Sequence, residues 1–98
     1  MTPRVLLRPE ARADLRDARD WYERQSPGLG SEFLRAVESV IATIQRAPAF
    51  YPAVEAPVRR AVLRRFPYQV IYALEGDEVV VLACLHHRRD PTVWRSRR

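Results

Sequence analysis

The spacing of apolar residues predicts two amphipathic helices in the first half of the chain. After a short apolar run at 5–7, which reads as a first strand, apolar side chains recur every three or four positions, as on the buried side of a helix. Pro27 suits the first position of the second helix, with Ser26 as its N-cap. The predicted helices span residues 10–24 and 27–46. Their apolar stripes consist of Ala11, Leu15, Ala18 and Tyr22, and of Leu29, Phe33, Val37, Val40, Ile41 and Ile44.

The second half of the chain reads as three strands. The first is predicted over residues 59–65, and the second over residues 68–74, which are rich in β-branched and aromatic side chains. Gly76-Asp77 favours a two-residue hairpin turn into a third strand at 78–86. Because this last run is apolar without alternation, we expect both of its faces to be buried and the strand to lie centrally in the sheet.

The element order β-α-α-β-β-β predicts an α+β fold. In this fold a two-helix hairpin packs on a four-stranded, mostly antiparallel sheet. A chain of 98 residues is too short for two domains, so residues 1–98 are predicted to form a single domain. The expected core residues are Leu15, Tyr22, Phe33, Val37, Ile41, Ile71, Val81 and Ala83.

The composition excludes several classes of protein. Apolar residues make up 47% of the chain, which is enough for a folded core. No apolar run is long enough to span a membrane, so we expect a cytoplasmic protein with no membrane partner. The single cysteine, Cys84, excludes an internal disulfide and a thiolate metal cluster. Nucleotide-binding loops and paired metal-ligand spacings are missing, so we expect neither a cofactor nor a metal.

The charge is more informative. The chain has 17 arginines and no lysine. The net charge is +5. Residues 51–98 hold nine arginines against five acidic residues, whereas residues 1–50 hold eight against seven. An excess of this kind favours an anionic partner, either nucleic acid or an acidic protein segment. Arginine-biased codon usage explains the lack of lysine equally well.

The candidate functional residues are basic and aromatic. Antiparallel pairing is expected to bring the predicted strands and the tail together, so that arginines bind phosphates and aromatic rings stack on bases. The alternative is that the arginines face water while Tyr68 and Tyr72 lie in the core. His86 and His87 are possible acid–base groups, or one of them only satisfies a backbone group. The basic and tryptophan candidates are Arg59, Arg60, Arg64, Arg65, Arg88, Arg89, Trp94 and Arg95.

Short motifs in a characteristic order cover essentially the whole chain. They are Pro9-Glu10-Ala11 with Asp14-Leu15, Trp21-Tyr22, Arg59-Arg60, Arg65-Phe66-Pro67-Tyr68, Val70-Ile71-Tyr72, and His86-x-x-Arg89-Asp90-Pro91-x-x-Trp94. This set resembles the RelE/ParE superfamily, the toxin halves of type II toxin–antitoxin or plasmid-stabilisation modules. One departure is Arg8, which stands where a serine often caps the first helix in that superfamily.

The resemblance implies one of two activities, and the first is RNA cleavage. RelE-type members cut messenger RNA on the ribosome with basic residues on the sheet and near the C-terminus. Arg60 and Arg89 match two of these positions, and His87 matches a histidine acid–base group found in other nucleases of the superfamily. Val62 and Gln69 stand where further cations are expected, and neither can stabilise charge on a phosphate. The nuclease set is therefore incomplete.

The second activity implied by the resemblance is inhibition of DNA gyrase, which ParE-type members achieve by binding and without an active site. This is the leading hypothesis for the chain, together with neutralisation by a small antitoxin whose acidic segment lies on the arginine-rich surface. The alternative is a ribosome-dependent endoribonuclease acting on mRNA through Arg60, His87 and Arg89. A third interpretation is a member that keeps only antitoxin and operator-complex binding.

Overall fold

The computed structural model describes residues 2–98 and contains both predicted helices. Helix α1 spans Pro9–Gln25 and helix α2 spans Leu29–Arg46. The second helix starts two residues later than predicted, and Ser26 is not its N-cap. Gly28 is the N-cap residue instead, with a φ of 88° that lies in the region glycine adopts without a steric penalty. None of the helices within residues 2–98 is both long and apolar enough to cross a lipid bilayer.

The turn between the two helices is fixed by the carboxylate of Glu23. Its oxygens accept hydrogen bonds from the backbone N–H groups of Gly28 (2.9 Å) and Gly30 (3.0 Å), which satisfies donors at the start of α2. A Cβ atom on Gly30 would lie 2.7 Å from the carbonyl oxygen of Arg19. Glycine at this position therefore allows the close approach of α1 and α2, and the helices form the expected hairpin.

The sheet has five strands, one more than predicted. The additional strand pairs with its neighbour at the sheet edge and consists of three exposed residues. Only the pair β1–β5 is parallel, so the α+β class and the mostly antiparallel sheet are confirmed. In chain order the strands are β1 (Arg4–Leu7), β2 (Ala53–Glu55), β3 (Val58–Val62), β4 (Tyr68–Glu75) and β5 (Glu78–His86), and their spatial order is β1-β5-β4-β3-β2.

Strand β3 ends before the end of the predicted 59–65 run. The backbone N–H of Leu63 donates to the carbonyl oxygen of Tyr68 (2.9 Å), which closes a turn around Pro67. The chain turns here because proline has no N–H for a strand ladder. Arg64 and Arg65 therefore lie in this turn and not on the strand, which corrects the predicted row of four arginines.

Strand β5 lies between two neighbours, as its apolar sequence predicted. It pairs with β4 over its whole length, but β1 pairs only with Glu78–Val81. A register shift in the β4 ladder places Ala83 opposite Ile71 and Val81 opposite Tyr72, so that Leu82 is the extra residue of a bulge. Residues 82–86 extend past the end of β1 and have a strand on one side only.

The face of the sheet under α1 and α2 is here called the helix face. Its buried cluster includes Tyr22, Phe33, Val37, Ile44, Phe66, Val70, Tyr72, Val81 and Cys84. Leu15 and Ile41 were predicted to be core residues, but they are only partly buried and pack against this cluster from its margin. The other six predicted core residues are buried.

The opposite face of the sheet is here called the open face. A C-terminal 3₁₀ helix, Pro91–Arg97, packs on it through the buried side chain of Trp94. The cluster on this face consists of Val58, Ile71, Ala73, Leu82, Ala83, Leu85 and Trp94. The two faces of one sheet are thus covered by elements of very different size.

Candidate functional site

A cleft of about 550 Å³ opens between α1 and the last residues of β5, and we call it the α1–β5 cleft. Asp17 and Trp21 line it from α1, Tyr68 and His86 line it from the sheet, and Arg89 lines it from the turn after β5. The side chain of Trp21 is 49% exposed. Apolar, aromatic and charged groups therefore converge on one concave surface, which is typical of binding sites.

A buried ion pair lies at one end of this cleft. The Arg97 guanidinium is 2.5 Å from the Asp14 carboxylate, and their side chains are only 10% and 8% exposed. Arg89 approaches the same carboxylate to 3.8 Å. Asp14 also accepts a hydrogen bond from the backbone N–H of Cys84 (3.0 Å). The pair thus connects α1 to β5 and to the C-terminal 3₁₀ helix.

Burial changes the chemistry of the groups around the cleft. It raises the pKa of the Cys84 thiol to about 12, with a smaller contribution from the Asp14 carboxylate. Burial also raises the pKa of Tyr22 and of Tyr68 above the ordinary tyrosine value. All three groups remain neutral near pH 7, so Cys84 is not a candidate nucleophile.

Among residues 2–98, no group of three or more His, Cys, Asp or Glu side chains is arranged to hold a metal ion.

Two of the predicted binding residues are engaged within the fold. The guanidinium of Arg59 donates to the carbonyl oxygens of Tyr51 (2.7 Å) and Ala49 (3.3 Å), and so fixes the segment before β2. Trp94 is buried on the open face. Tyr72 is also a core residue, and its hydroxyl donates to the carbonyl oxygen of Pro48 (2.5 Å). For Tyr72 the core interpretation is therefore confirmed.

Arg60 and Arg95 lie on the open face. They line a small recess of about 200 Å³ next to Trp94 and Glu55. Arg95 forms an ion pair with Glu55 (2.7 Å), and its guanidinium lies 5.7 Å from the centre of the Trp94 ring. Arg60 is exposed on β3.

The remaining predicted arginines lie in exposed turns. Arg64 is exposed and lines a groove of about 500 Å³ beside α2. Arg65 forms an ion pair with Glu32 of α2 (3.1 Å). Arg88 and His87 are exposed in the turn after β5. These side chains are accessible to a partner, and the two turns are neighbours, because the His87 N–H donates to the Pro67 carbonyl oxygen (2.9 Å).

The residues that match the catalytic positions of RelE-type nucleases do not form one site in this chain. Arg60 lines the recess beside Trp94, whereas Arg89 lines the α1–β5 cleft. Val62 and Gln69 pair across β3 and β4, and neither carries a charge. The histidine that lines the cleft is His86 and not the predicted His87, because His87 lies beyond the end of β5 in the exposed turn.

Sequence reasoning missed Asp14 and Arg97 as a pair. One signal was present: Asp14 stands three residues after Ala11 and four before Ala18, so an acidic residue occupies the apolar stripe of α1. A charge in such a stripe indicates a buried partner. The partner was not identifiable, because Arg97 lies 83 positions away in the chain.

Comparisons with known proteins agree with this fold. A family model described as "ParE toxin of type II toxin-antitoxin system, parDE" matches residues 5–91. A solved structure described as "Chromosomal ParDE TA system from P. aeruginosa" is similar with a TM-score of 0.76 and 20% sequence identity, covering 87% of this chain and 96% of that one. At this identity the likeness establishes the fold. No curated protein sequence was found to match the chain.

Proposed function

The chain belongs to the ParE toxin family of type II toxin–antitoxin systems, and we propose that it inhibits DNA gyrase and is neutralised by a small antitoxin. Inhibition would occur through protein–protein contact, without covalent chemistry. Because gyrase acts on chromosomal DNA, the site of action would be the cytoplasm.

The observation that carries the proposal is the separation of the nuclease positions. RNA cleavage through the 2′-hydroxyl needs an acid, a base and fixed positive charge around one phosphate. Arg60 and Arg89 line different recesses, and the uncharged Val62 and Gln69 stand at the two other matching positions. A protein that acts by binding needs no such convergence.

One observation favours the nuclease alternative. The α1–β5 cleft brings together an imidazole (His86), a guanidinium (Arg89) and a carboxylate (Asp14). These are the group types used in acid–base cleavage of RNA. However, Asp14 is already engaged by Arg97 and by the Cys84 N–H, so it is poorly placed to accept a proton from a substrate.

Two parallel assays test these functions on the purified chain. We expect inhibition of plasmid supercoiling by DNA gyrase and no codon-dependent cleavage of mRNA on programmed ribosomes. His86→Ala and Arg89→Ala should leave any RNA background unchanged. Strong cleavage by the wild type that is lost in either variant, with the fold intact by circular dichroism, would instead establish the nuclease function.

We also propose that the exposed arginines form the antitoxin- and target-binding surface. This surface comprises Arg60, Arg64, Arg65, Arg88, Arg89 and Arg95, with Arg59 and Trp94 supporting it from within the fold. Charge-assisted contacts accelerate association, and salt screens them.

The binding assay uses the protein encoded by the reading frame adjacent to the toxin gene. We expect Arg64→Glu with Arg88→Glu to slow its association and to flatten the salt dependence. Reversal of the exposed Arg98, which lies outside this surface, is the matched control. Unchanged rates in the double variant would show that the surface is wrong.

A further inference from the structure

The edge of β5 that borders the α1–β5 cleft is incompletely paired. Strand β1 accompanies β5 only as far as Val81, where the N–H of Arg8 donates to the Val81 carbonyl oxygen (3.0 Å). The chain then turns into α1. Residues 82–86 continue the ladder with β4 on their other side. An uncovered edge of this kind is a template for another strand.

Side chains cover the first part of this edge. The Asp14 carboxylate accepts the N–H of Cys84, and the Arg97 guanidinium donates to the carbonyl oxygen of Leu82 (3.3 Å). The buried ion pair therefore occupies the place where β1 would continue. It leaves the end of the edge, from Cys84 to His86, lining the cleft.

The hydrogen bonds around this segment show which backbone groups point outward. The N–H of Cys84 bonds to Asp14, away from β4, whereas the N–H of His87 donates to the carbonyl oxygen of Pro67 (2.9 Å), toward the β4 side. Because strand residues alternate, the N–H of His86 and the carbonyl oxygen of Cys84 point away from β4. Within residues 2–98 no strand lies beside these two groups.

We propose that an extended segment of the antitoxin adds to β5 here, parallel to it and in line with β1. The proposal rests on neutralisation by an antitoxin, as proposed above, and specifies where it occurs. One residue of the segment lies opposite Leu85, donates its N–H to the Cys84 carbonyl oxygen and accepts a bond from the His86 N–H. The parallel direction follows because the Cys84 N–H and the His86 carbonyl oxygen are already engaged by Asp14 and by the Arg89 N–H (3.0 Å).

The lining of the cleft defines the side chains that this segment carries. Residues on either side of the one opposite Leu85 share the face of Cys84 and His86, so they enter the cleft. A large apolar side chain there contacts Trp21 and Tyr68. Beyond it the segment meets Arg88 and Arg89, and the side chain of Arg89 is 52% exposed, so acidic residues are complementary at that end.

A backbone substitution tests the hydrogen bond directly. His86→Pro removes the outward N–H and leaves the ladder to β4 intact, and the edge position suits proline. His86→Ala keeps the N–H and removes the imidazole, so it is the matched control. With the full-length product of the adjacent reading frame as the probe, we expect about tenfold weaker binding for His86→Pro than for His86→Ala.

A second pair of variants tests the cleft. We expect Trp21→Ala to weaken binding about thirtyfold, as for an aromatic anchor. Leu74→Ala is the control, because Leu74 is an exposed apolar side chain at 42% and lies outside both the cleft and the groove that holds Arg64. It should change the affinity less than twofold.

Amide hydrogen exchange of the wild-type complex provides a measurement that needs no variant. We expect exchange of the His86 N–H to slow at least a hundredfold when the antitoxin binds. If the antitoxin binds tightly while His86 stays unprotected and the Pro and Ala variants bind equally, the strand-addition site is wrong and neutralisation stands. If the wild type does not bind the probe at all, the proposed antitoxin partnership fails instead.

Discussion

The two faces of the sheet are buried by very different lengths of chain. The helix face is covered by α1 and α2, with 17 and 18 residues. The ring centroids of Tyr22, Phe33 and Phe66 lie 4.9–5.3 Å apart, and Phe66 packs edge to face against the other two rings. The open face is covered by a single 3₁₀ helix of seven residues. Leu6 and Val62 remain exposed.

This difference indicates which part of the molecule sets the global stability and which part can open locally. A large interlocked cluster is lost only when the whole domain unfolds, whereas a short segment can detach on its own. The C-terminal 3₁₀ helix is attached by Trp94, by the Arg97–Asp14 pair and by the Arg95–Glu55 pair. We therefore expect the helix face to set the global stability and the open face to respond locally.

The largest expected effect is the loss of a ring from the helix face. Phe33→Ala should lower the free energy of unfolding by about 3–5 kcal/mol, because it leaves a cavity among rigid neighbours. That loss is comparable to the whole stability of many small domains. Urea unfolding followed by circular dichroism measures it. The exposed Phe50→Ala is the control, with an expected change below about 0.5 kcal/mol.

Removing the anchor of the open face should have a smaller effect. We expect Trp94→Ala to cost about 2–3 kcal/mol, less than Phe33→Ala, because the loss is limited to the energy that docks the 3₁₀ helix. Hydrogen exchange should accelerate in residues 91–97 and on the open face before it does in α2. A cost equal to that of Phe33→Ala would mean that the two faces unfold as one unit.

The ion pair between α1 and the C-terminus is the next test. Arg97→Gln leaves the Asp14 carboxylate buried, which usually costs several kcal/mol. Because the Cys84 N–H and Arg89 still contact this carboxylate, we expect a smaller loss of about 2 kcal/mol in the free energy of unfolding. The double variant with Asp14→Asn should recover part of it. If the double variant is less stable than Arg97→Gln alone, the carboxylate is not the source of the cost.

The smallest expected effect concerns the exposed pair on the same segment. Arg95 and Glu55 have side chains that are more than half exposed, so Arg95→Gln should change the free energy of unfolding by less than about 1 kcal/mol. The difference from wild type should vanish in high salt. Thermal melts at low and high ionic strength provide the comparison, and a loss that persists in high salt would point to packing of Arg95 on Trp94.

Local patterns determined most of the fold. Apolar spacing along α1 and α2, the Gly76-Asp77 turn and the unbroken apolar run of β5 were readable because each depends on neighbours within a few residues. Strand β2 was not readable. It has three exposed residues without alternation, and it exists because β3 provides a partner. The start of α2, which was predicted two residues too early, depends on the conformation of Gly28 and on the Glu23 side chain.

The candidate site depended on contacts that are distant in the sequence. The family motifs, the arginine excess and the lack of a complete nuclease set were all readable from the order of the residues. Three features became visible only in the folded chain: Asp14 meets Arg97, His86 and not His87 lines the cleft, and β1 ends opposite Val81. The spacing of apolar residues specifies the face of an element on which a side chain lies. Contacts between residues that are 70 or more positions apart are fixed only when the whole chain packs.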